Sequence, residues 1–569
     1  MIESRTSKPA IAYFTMEIAI DSKIPTYSGG LGVLAADTMR AAADLNIPMV
    51  GVTLISRKGY FHLYLDEHGS QREESVSWSP EELLESLAPR VTVVLNGRRV
   101  VVQAWRYMIH SEVGGTVPLY FIDTALPENS IEDTAITDHL YGGDERYRLS
   151  QEAILSLGGV TMLRALGYEN VQVYHMNEGH SALISVALLE ERTWGRSLDV
   201  VCDQDWEAIK QHCVFTTHTP IAAAHDKFPI ELVREVLGPE RTNCLIKTQC
   251  CNNGVLNMTE LALHSSRFVN GVSMRHEEIS QMMYPNHRVD FITNGVHTAT
   301  WIAPPFARLY DKYMPQWRRD NLYLKYAIRI PISEITEAHS EAKQRLLDRI
   351  KETKRLELDP GVFTIGFARR STAYKRPTLI FHNLERLKTI ALQNGPLQII
   401  CAGKAHPRDS TGKELIQSIY SAASELKGII SVVYLENYDV ELAKYICSGV
   451  DLWLNTPQKP QEASGTSGMK AAVNGVPSLS ILDGWWIEGH VEGITGWAIG
   501  EGWRADTSSE QDASSLYDKL DNYILPWYYK QPESYAAVMR SAIAQNGSYF
   551  NAQRMMYQYV QNAYLLPLG

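Results

Sequence analysis

Phe363-Thr364-Ile365-Gly366-Phe367-Ala368, followed at once by Arg369-Arg370-Ser371-Thr372-Ala373-Tyr374-Lys375-Arg376, decides the fold. The first six residues carry no charge and read as a strand buried on both faces, the pattern of a parallel sheet. The next eight contain four cations at that strand's carboxyl end, where open α/β sheets bind their ligands. Towards the C-terminus the alternation continues, with a helix over 378–392, a strand over 398–402, a helix over 413–426, a strand over 430–434, a helix over 440–447 and a strand over 452–454. Such βαβ runs build a doubly wound sheet. Towards the N-terminus, 293–305 holds Asn-Gly, paired prolines and no periodicity, and reads as a connecting loop. Before it, 48–55 reads as a buried strand after a helical 34–45, 171–174 follows a helical 152–166, and 214–217 ends another strand. Two β-rich runs in 91–109 flank Asn96-Gly97, the pair suited to a type I′ hairpin turn, and read as an antiparallel insertion. After Trp527 the chain is helical, broken at Asn546-Gly547, with Met555, Met556, Tyr559 and Val560 on one packing face. The expectation is an α/β protein of two Rossmann-like domains facing a central cleft: 1–295, 296–530, and helices over 531–569 that return to the first domain.

Composition bounds the function. At 569 residues the chain exceeds what one core usually organises, which excludes a lone binding module. With 45% hydrophobic and 21% charged residues it is not disordered. A net charge of -11 argues against bulk attraction to nucleic acid or an anionic membrane. Seven cysteines without C-x-x-C spacing favour free thiols in a reducing cytosol. Glu3, and Glu17 within the apolar 11–20, break the layout of a secretion signal, and no apolar run reaches a membrane span. The protein is expected to be soluble and cytoplasmic.

Four groups of residues carry chemistry. Tyr27-Ser28-Gly29-Gly30-Leu31-Gly32 is a glycine turn entering a helix, able to cradle an anion on backbone N–H groups, although glycine-rich turns mostly solve backbone geometry and the full dinucleotide fingerprint is absent. Arg369 to Arg376 offers guanidinium forks to a phosphate, or else starts a solvated basic helix. Glu462-Ala463-Ser464-Gly465-Thr466-Ser467-Gly468-Met469-Lys470 enters a helix over 469–474. There the helix dipole and nearby cations would depress the Lys470 pKa, as a Schiff base with an aldehyde requires, although an ordinary lysine fits as well. Asn177-Glu178-Gly179-His180, Thr217-His218-Thr219-Pro220, Asn294-Gly295 and Glu436-Asn437-Tyr438 are of the types that read sugar hydroxyls or that cap loops. His180, His212 and His218 lack the spacing of metal ligands, and no metal is expected.

Taken in order, AYFTMEIAI, YSGGLGVLAAD, YHMNEGHSAL, FTTHTP, FITNGVH, ARRSTAYKRP, CAGKAHP, LENYD and EASGTSGMKAAVNGV resemble the α-glucan phosphorylases (glycogen, starch and maltodextrin phosphorylases), in the compact prokaryotic branch. That resemblance implies a GT-B architecture and pyridoxal 5′-phosphate held as a Schiff base on Lys470. Thr466 and Arg369 would hold the cofactor phosphate, with Gly30 also near it. Arg370, Lys375 and the Gly30 amide would hold the substrate phosphate. His218, Asn294, Tyr374, Tyr438, Glu462, Ser464 and Gly465 would hold the transferred glucosyl unit, and Glu178 and His180 would lie towards the acceptor chain. Lys470, Arg370, Lys375 and His218 are the catalytic set.

The implied reaction is reversible, retaining phosphorolysis of an α-glucan, maltodextrin or glycogen, by orthophosphate to α-glucose 1-phosphate, with no glycosidase-style carboxylate pair. Long phosphorylases carry lysine where this chain has Arg369, which keeps charge and alters reach. Few residues precede the first motif, so no N-terminal phosphorylation or nucleotide control is expected. Homodimers are common in the family, and a homodimer is one expected assembly. The rival readings are a nucleotide-sugar-dependent glucosyltransferase of the same fold, which would not require Lys470, and a degenerate glucan-binding protein.

Overall fold

The computed structural model describes residues 10–565; Glu3, and positions 566–569 of the C-terminal segment, lie outside them. Two large sheets organise the chain. In the first, nine strands run in the order Asp290–Phe291, Phe268–Gly271, Cys213–Thr216, Val171–Asn177, Ala10–Phe14, Met49–Leu54, Thr116–Asp123, Arg98–His110 and Glu85–Leu95. The first seven pair in parallel, and the last two extend one edge antiparallel. That edge is the hairpin read from Asn96-Gly97, whose φ values of 50 and 70 are both positive, as a type I′ turn requires. The second sheet is wholly parallel, in the order Ile430–Leu435, Leu397–Ala402, Phe363–Ala368, Leu452–Asn455, Ser478–Ile481, Gly496–Ile499.

Burial explains why these strands were legible. Met49–Leu54, Phe363–Ala368 and Leu397–Ala402 are buried at every position, so each is apolar or neutral along its length rather than alternating. Helix limits shift where capping decides. The segment read as a helix over 378–392 is a 3₁₀ turn, Leu379–Phe381, and then a helix, Leu384–Asn394, capped by the Asn383 side chain on the Arg386 N–H. The helix read from 413 starts at Ser410, capped by Asp409 on Gly412. The helix read from 152 starts at Glu145, capped by Asp144, and passes through a π segment, Ile154–Gly158. The helix read over 469–474 is Ser467–Ala472.

The last helix, Ala552–Tyr559, buries Met555, Met556 and Tyr559 in one core with Leu34, Ala35 and Met39 of helix Gly30–Asp44. Tyr559 Oη lies 3.1 Å from Thr216 Oγ1, and Tyr564 Oη 2.7 Å from His175 Nδ1. The C-terminal segment is thus packed on the first sheet. A small hairpin, His62–Leu65 with Gln71–Glu74, reaches the other way: the Leu63 and Leu65 N–H groups donate to Asn437 Oδ1 (2.6 Å) and Glu436 Oε1 (3.2 Å), and Gln71 exchanges two hydrogen bonds with the Ala405 backbone. All seven cysteines are free thiols, and no described helix is long and apolar enough to cross a membrane.

Candidate active site

Residues that follow the carboxyl ends of strands in both sheets line one cavity of about 1070 Å³. On its wall stand Gly30, Glu178, His180, His218, Asn294, Arg369, Arg370, Tyr374, Lys375, Tyr438, Glu462, Ser464, Gly465, Thr466 and Lys470, every residue to which the family resemblance assigns a site role. Parallel pairing brings them together, because it turns the ends of separate strands to one side.

The cationic segment divides. The Arg369 Nη2 and Lys375 Nζ groups donate to the same oxygen, Glu462 Oε2, at 2.6 and 2.7 Å, while the buried Arg369 Nη1 has no hydrogen-bond partner. Arg370 lines the cavity and makes no hydrogen bond or ion pair among the described residues. Arg376 leaves the site: its guanidinium donates to the Thr456 and Pro457 carbonyls and pairs with Asp512 at 2.8 Å. Burial, with Arg369 close by, lowers Lys375 to about 7 against the pull of Glu462, and the two cations hold Glu462 down at about 2. Glu462 is itself fixed from behind, since its N–H donates to the buried Asp483 Oδ2 at 2.9 Å.

Lys470 is buried in helix Ser467–Ala472. Its pKa lies below the usual lysine value, but the cause differs from the sequence reading. Desolvation depresses it, and Asp37 opposes that shift; the residue sits in the helix's last turn rather than at the positive end of the dipole. Its Nζ lies 4.0 Å from the centre of the Trp301 ring.

The glycine turn is built around a carboxylate. Glu17 Oε2 accepts the Ser28 and Gly29 N–H groups (2.6 and 3.2 Å), and the Tyr141 hydroxyl donates to Oε1 (3.0 Å). A Cβ on Gly32 would stand 2.9 Å from Glu17 Oε2 and 2.7 Å from Tyr27 Cβ, so close approach demands glycine there. At Gly30, the first residue of its helix, a Cβ would meet nothing within 4 Å, which leaves open backbone at the cavity wall.

On the sugar-reading side, His218 Nε2 lies 2.6 Å from Asn177 Oδ1. The Asn177 amide nitrogen donates to Thr15 Oγ1, so its oxygen faces the ring as an acceptor and Nε2 carries the proton. Burial holds this imidazole at about 3, hence neutral, with Nδ1 as an acceptor. Glu178 sits at φ 81, a strained conformation for a non-glycine residue, held by its carboxylate accepting from Gly179 N, His218 N and Thr219 Oγ1. His180 Nε2 accepts the Met16 N–H at 3.0 Å. Buried Asn294 Oδ1 and Ser464 Oγ, both on the cavity wall, have no hydrogen-bond partner.

Sequence reasoning placed Glu436 and Asn437 among the sugar readers; the structure assigns them to the hairpin contacts above. It missed Glu17, Arg148, Trp301, Lys404 and His406, which also line the cavity. Of these, Glu17, Lys404 and His406 lay inside quoted motifs, and the cavity-lining neighbours of Asp144 cap show no signal in the linear sequence. His212 is exposed, and its Nδ1–H donates to the Gln172 carbonyl at 3.0 Å. No group of three or more metal-ligating side chains occurs among the described residues.

The profile of the carbohydrate phosphorylases matches residues 239–496. A maltodextrin phosphorylase of Thermococcus litoralis is 37% identical over 98% of this chain and 71% of its own length. A glycogen phosphorylase of Aquifex aeolicus is 34% identical over 98% of this chain and 86% of its own. An uncharacterized protein of Methanocaldococcus jannaschii is 31% identical, with 97% of this chain and 99% of that one covered. Identity of this order across nearly the whole sequence shows that the chain belongs to the α-glucan phosphorylase family of carbohydrate phosphorylases.

Proposed function

We propose that the protein catalyses reversible, retaining phosphorolysis of α-1,4-glucan non-reducing ends to α-glucose 1-phosphate, with pyridoxal 5′-phosphate held on Lys470. The observation that carries this reading is a buried lysine amine without a hydrogen-bond partner on the wall that also holds Arg369, Arg370 and Lys375. A nucleotide-sugar enzyme has no use for that amine.

The residues fit the cofactor. Lys470 offers a desolvated amine, Arg369 an orphaned Nη1, and helix Ser467–Ala472 its N-terminal amides next to Thr466. When bound, pyridoxal phosphate supplies a phosphate group that exchanges a proton with the substrate phosphate. Arg370, Lys375 and the Gly30 amide would bind orthophosphate, and their positive field offsets the repulsion between two phosphates. Glu462, Asn294, Ser464, Gly465, Tyr374 and Tyr438 would hold the glucosyl hydroxyls, and neutral His218 would accept one at Nδ1. Glu178 and His180 would bound the acceptor side.

Neither Glu462 nor Glu178 is poised as an acid, since the first is tied to two cations and the second accepts three donors. The proton for the glycosidic oxygen is therefore assigned to phosphate rather than to a carboxyl.

The same reading divides the chain into Rossmann-like domains at 1–295 and 296–530, facing each other across the cavity in a GT-B arrangement, with 531–569 returning to the first. It places the enzyme in the cytoplasm, acting on maltodextrin or glycogen.

The test is borohydride reduction and peptide mass spectrometry, with turnover of maltodextrin plus phosphate measured alongside. A pyridoxyl phosphate adduct on Lys470, glucose 1-phosphate as product, and loss of both in Lys470→Ala are expected. An unmodified Lys470, or release of free glucose, would refute it.

A further inference from the structure

Helix Gly30–Asp44 carries, about two turns beyond its glycine start, a carboxylate that the reaction scheme leaves unused. Asp37 is 1% exposed. Its Oδ2 accepts the Trp301 Nε1–H at 2.8 Å, and its Oδ1 has no hydrogen bond, with Arg40 Nη1 standing off at 3.6 Å. A buried carboxylate with one oxygen unbonded is costly to keep unless a charge nearby offsets it. Arg40 supplies part of that offset, and a second cation lies across the indole: Trp301 is 1% exposed, and the Lys470 Nζ lies 4.0 Å from its ring centre.

The geometry therefore stacks carboxylate, indole and amine in series. Accepting the N–H hydrogen bond pushes electron density towards the indole ring, and a more negative ring face attracts the ammonium more strongly. We propose that Asp37 positions Lys470 and supplies its counter-charge, acting through the Trp301 indole. Asp37 and Gly30 share one helix, so this contact also ties the glycine turn to the lysine of the other sheet.

The groups facing Lys470 leave Asp37 as the relevant anion. They are Asp37, and Cys447 on helix Val440–Gly449, whose thiol burial pushes up to about 12 and keeps neutral. Arg40 faces Asp37 and tempers it. Desolvation lowers the Lys470 pKa and Asp37 raises it, so the balance sets how much amine is neutral and able to bond to an aldehyde carbon with loss of water.

This inference rests on Lys470 as the cofactor lysine, and its test separates the two claims. The full-length chain is produced in a host starved of the cofactor, pyridoxal 5′-phosphate is added across a pH series, and the adduct on Lys470 is trapped with borohydride and counted by peptide mass spectrometry against time. Capture needs the neutral amine, so its rate rises with pH to a midpoint set by Lys470. Asp37→Asn keeps an acceptor for the indole and removes the charge, and its midpoint is expected about one unit below wild type. Arg40→Met removes the tempering cation and is expected to move the midpoint the opposite way. A variant that merely loosened the fold would slow capture without moving the midpoint in opposite directions. Equal midpoints in all three proteins overturn the role of Asp37; wild type that captures no cofactor at Lys470 overturns the cofactor reading itself. Should Asp37→Asn fail to fold, the sign of the Arg40→Met shift decides alone.

Discussion

The two ends of the Arg369 guanidinium do different work, and a lysine cannot reproduce both. Nη2 is fixed on Glu462 at 2.6 Å, while Nη1 is buried with no protein partner. A lysine in its place has one nitrogen, and the carboxylate at Glu462 claims it. Arg369→Lys should therefore keep the ion pair and lose the anion contact assigned to Nη1. A hydrogen bond to a charged group contributes about 1.5–3 kcal/mol, which converts to roughly 10- to 150-fold in affinity. Arg369→Met goes further, because it leaves the Glu462 carboxylate with Lys375 alone. Breaking a buried pair costs about 3–5 kcal/mol, so this variant should also melt earlier.

The assay measures cofactor retention by spectroscopic titration and, separately, the KM for phosphate. Weakened cofactor binding with an unchanged phosphate KM places Nη1 on the cofactor, as the assignment has it. The reverse pattern places it on the substrate phosphate. If Arg369→Lys matches wild type in both, the orphaned Nη1 has no anion to bind and the argument from unpartnered atoms fails at this residue.

Three further outcomes follow from the charge arrangement. Lys375 titrates near 7 in the folded protein against an ordinary lysine value of 10.5, so phosphate binding should weaken as pH rises through about 7 in wild type relative to Lys375→Arg, which stays charged; the ratio of their phosphate KM values at each pH cancels the titration of phosphate itself, and a flat ratio refutes the shift. The same lowering means the unfolded chain binds more protons between about 7 and 10.5, so this residue's contribution to stability rises with pH across that window. Far from the cavity, Asp451 is 1% exposed and accepts from His339 Nε2, Lys343 Nζ and Thr364 N at 2.9, 2.6 and 2.7 Å. Asp451→Asn should lower the melting temperature by roughly 3 °C, read by calorimetry, and a shift below about 1 °C would show that the network contributes little.

What the sequence disclosed and what it withheld divide along one physical line. Phe363–Ala368 was legible because its whole length is buried, so its composition records its environment. The Asn96-Gly97 turn was legible because the backbone conformation is imposed by the two residues themselves. Helix starts at Ser410 and Leu384 were misplaced because their caps, Asp409 and Asn383, lie outside the apolar period that marks a helix. The shift at Lys470 was given the right sign and the wrong cause, because its desolvation comes from chain distant in sequence; Trp301 alone is separated from Asp37 by 264 positions. Arg376 shares its segment with Arg369 and Arg370 and still turns to Asp512. Spacing fixes which residues can share a strand end, and the tertiary partners decide which of them face the cavity. A run of four cations therefore overstates the charge it brings to the cavity, since Arg376 is paired elsewhere and Glu462 neutralises part of what remains. Of the run, Arg370 alone lines the cavity without a hydrogen bond or ion pair among the described residues, and a charge so confined suits a single phosphate better than an extended polyanion.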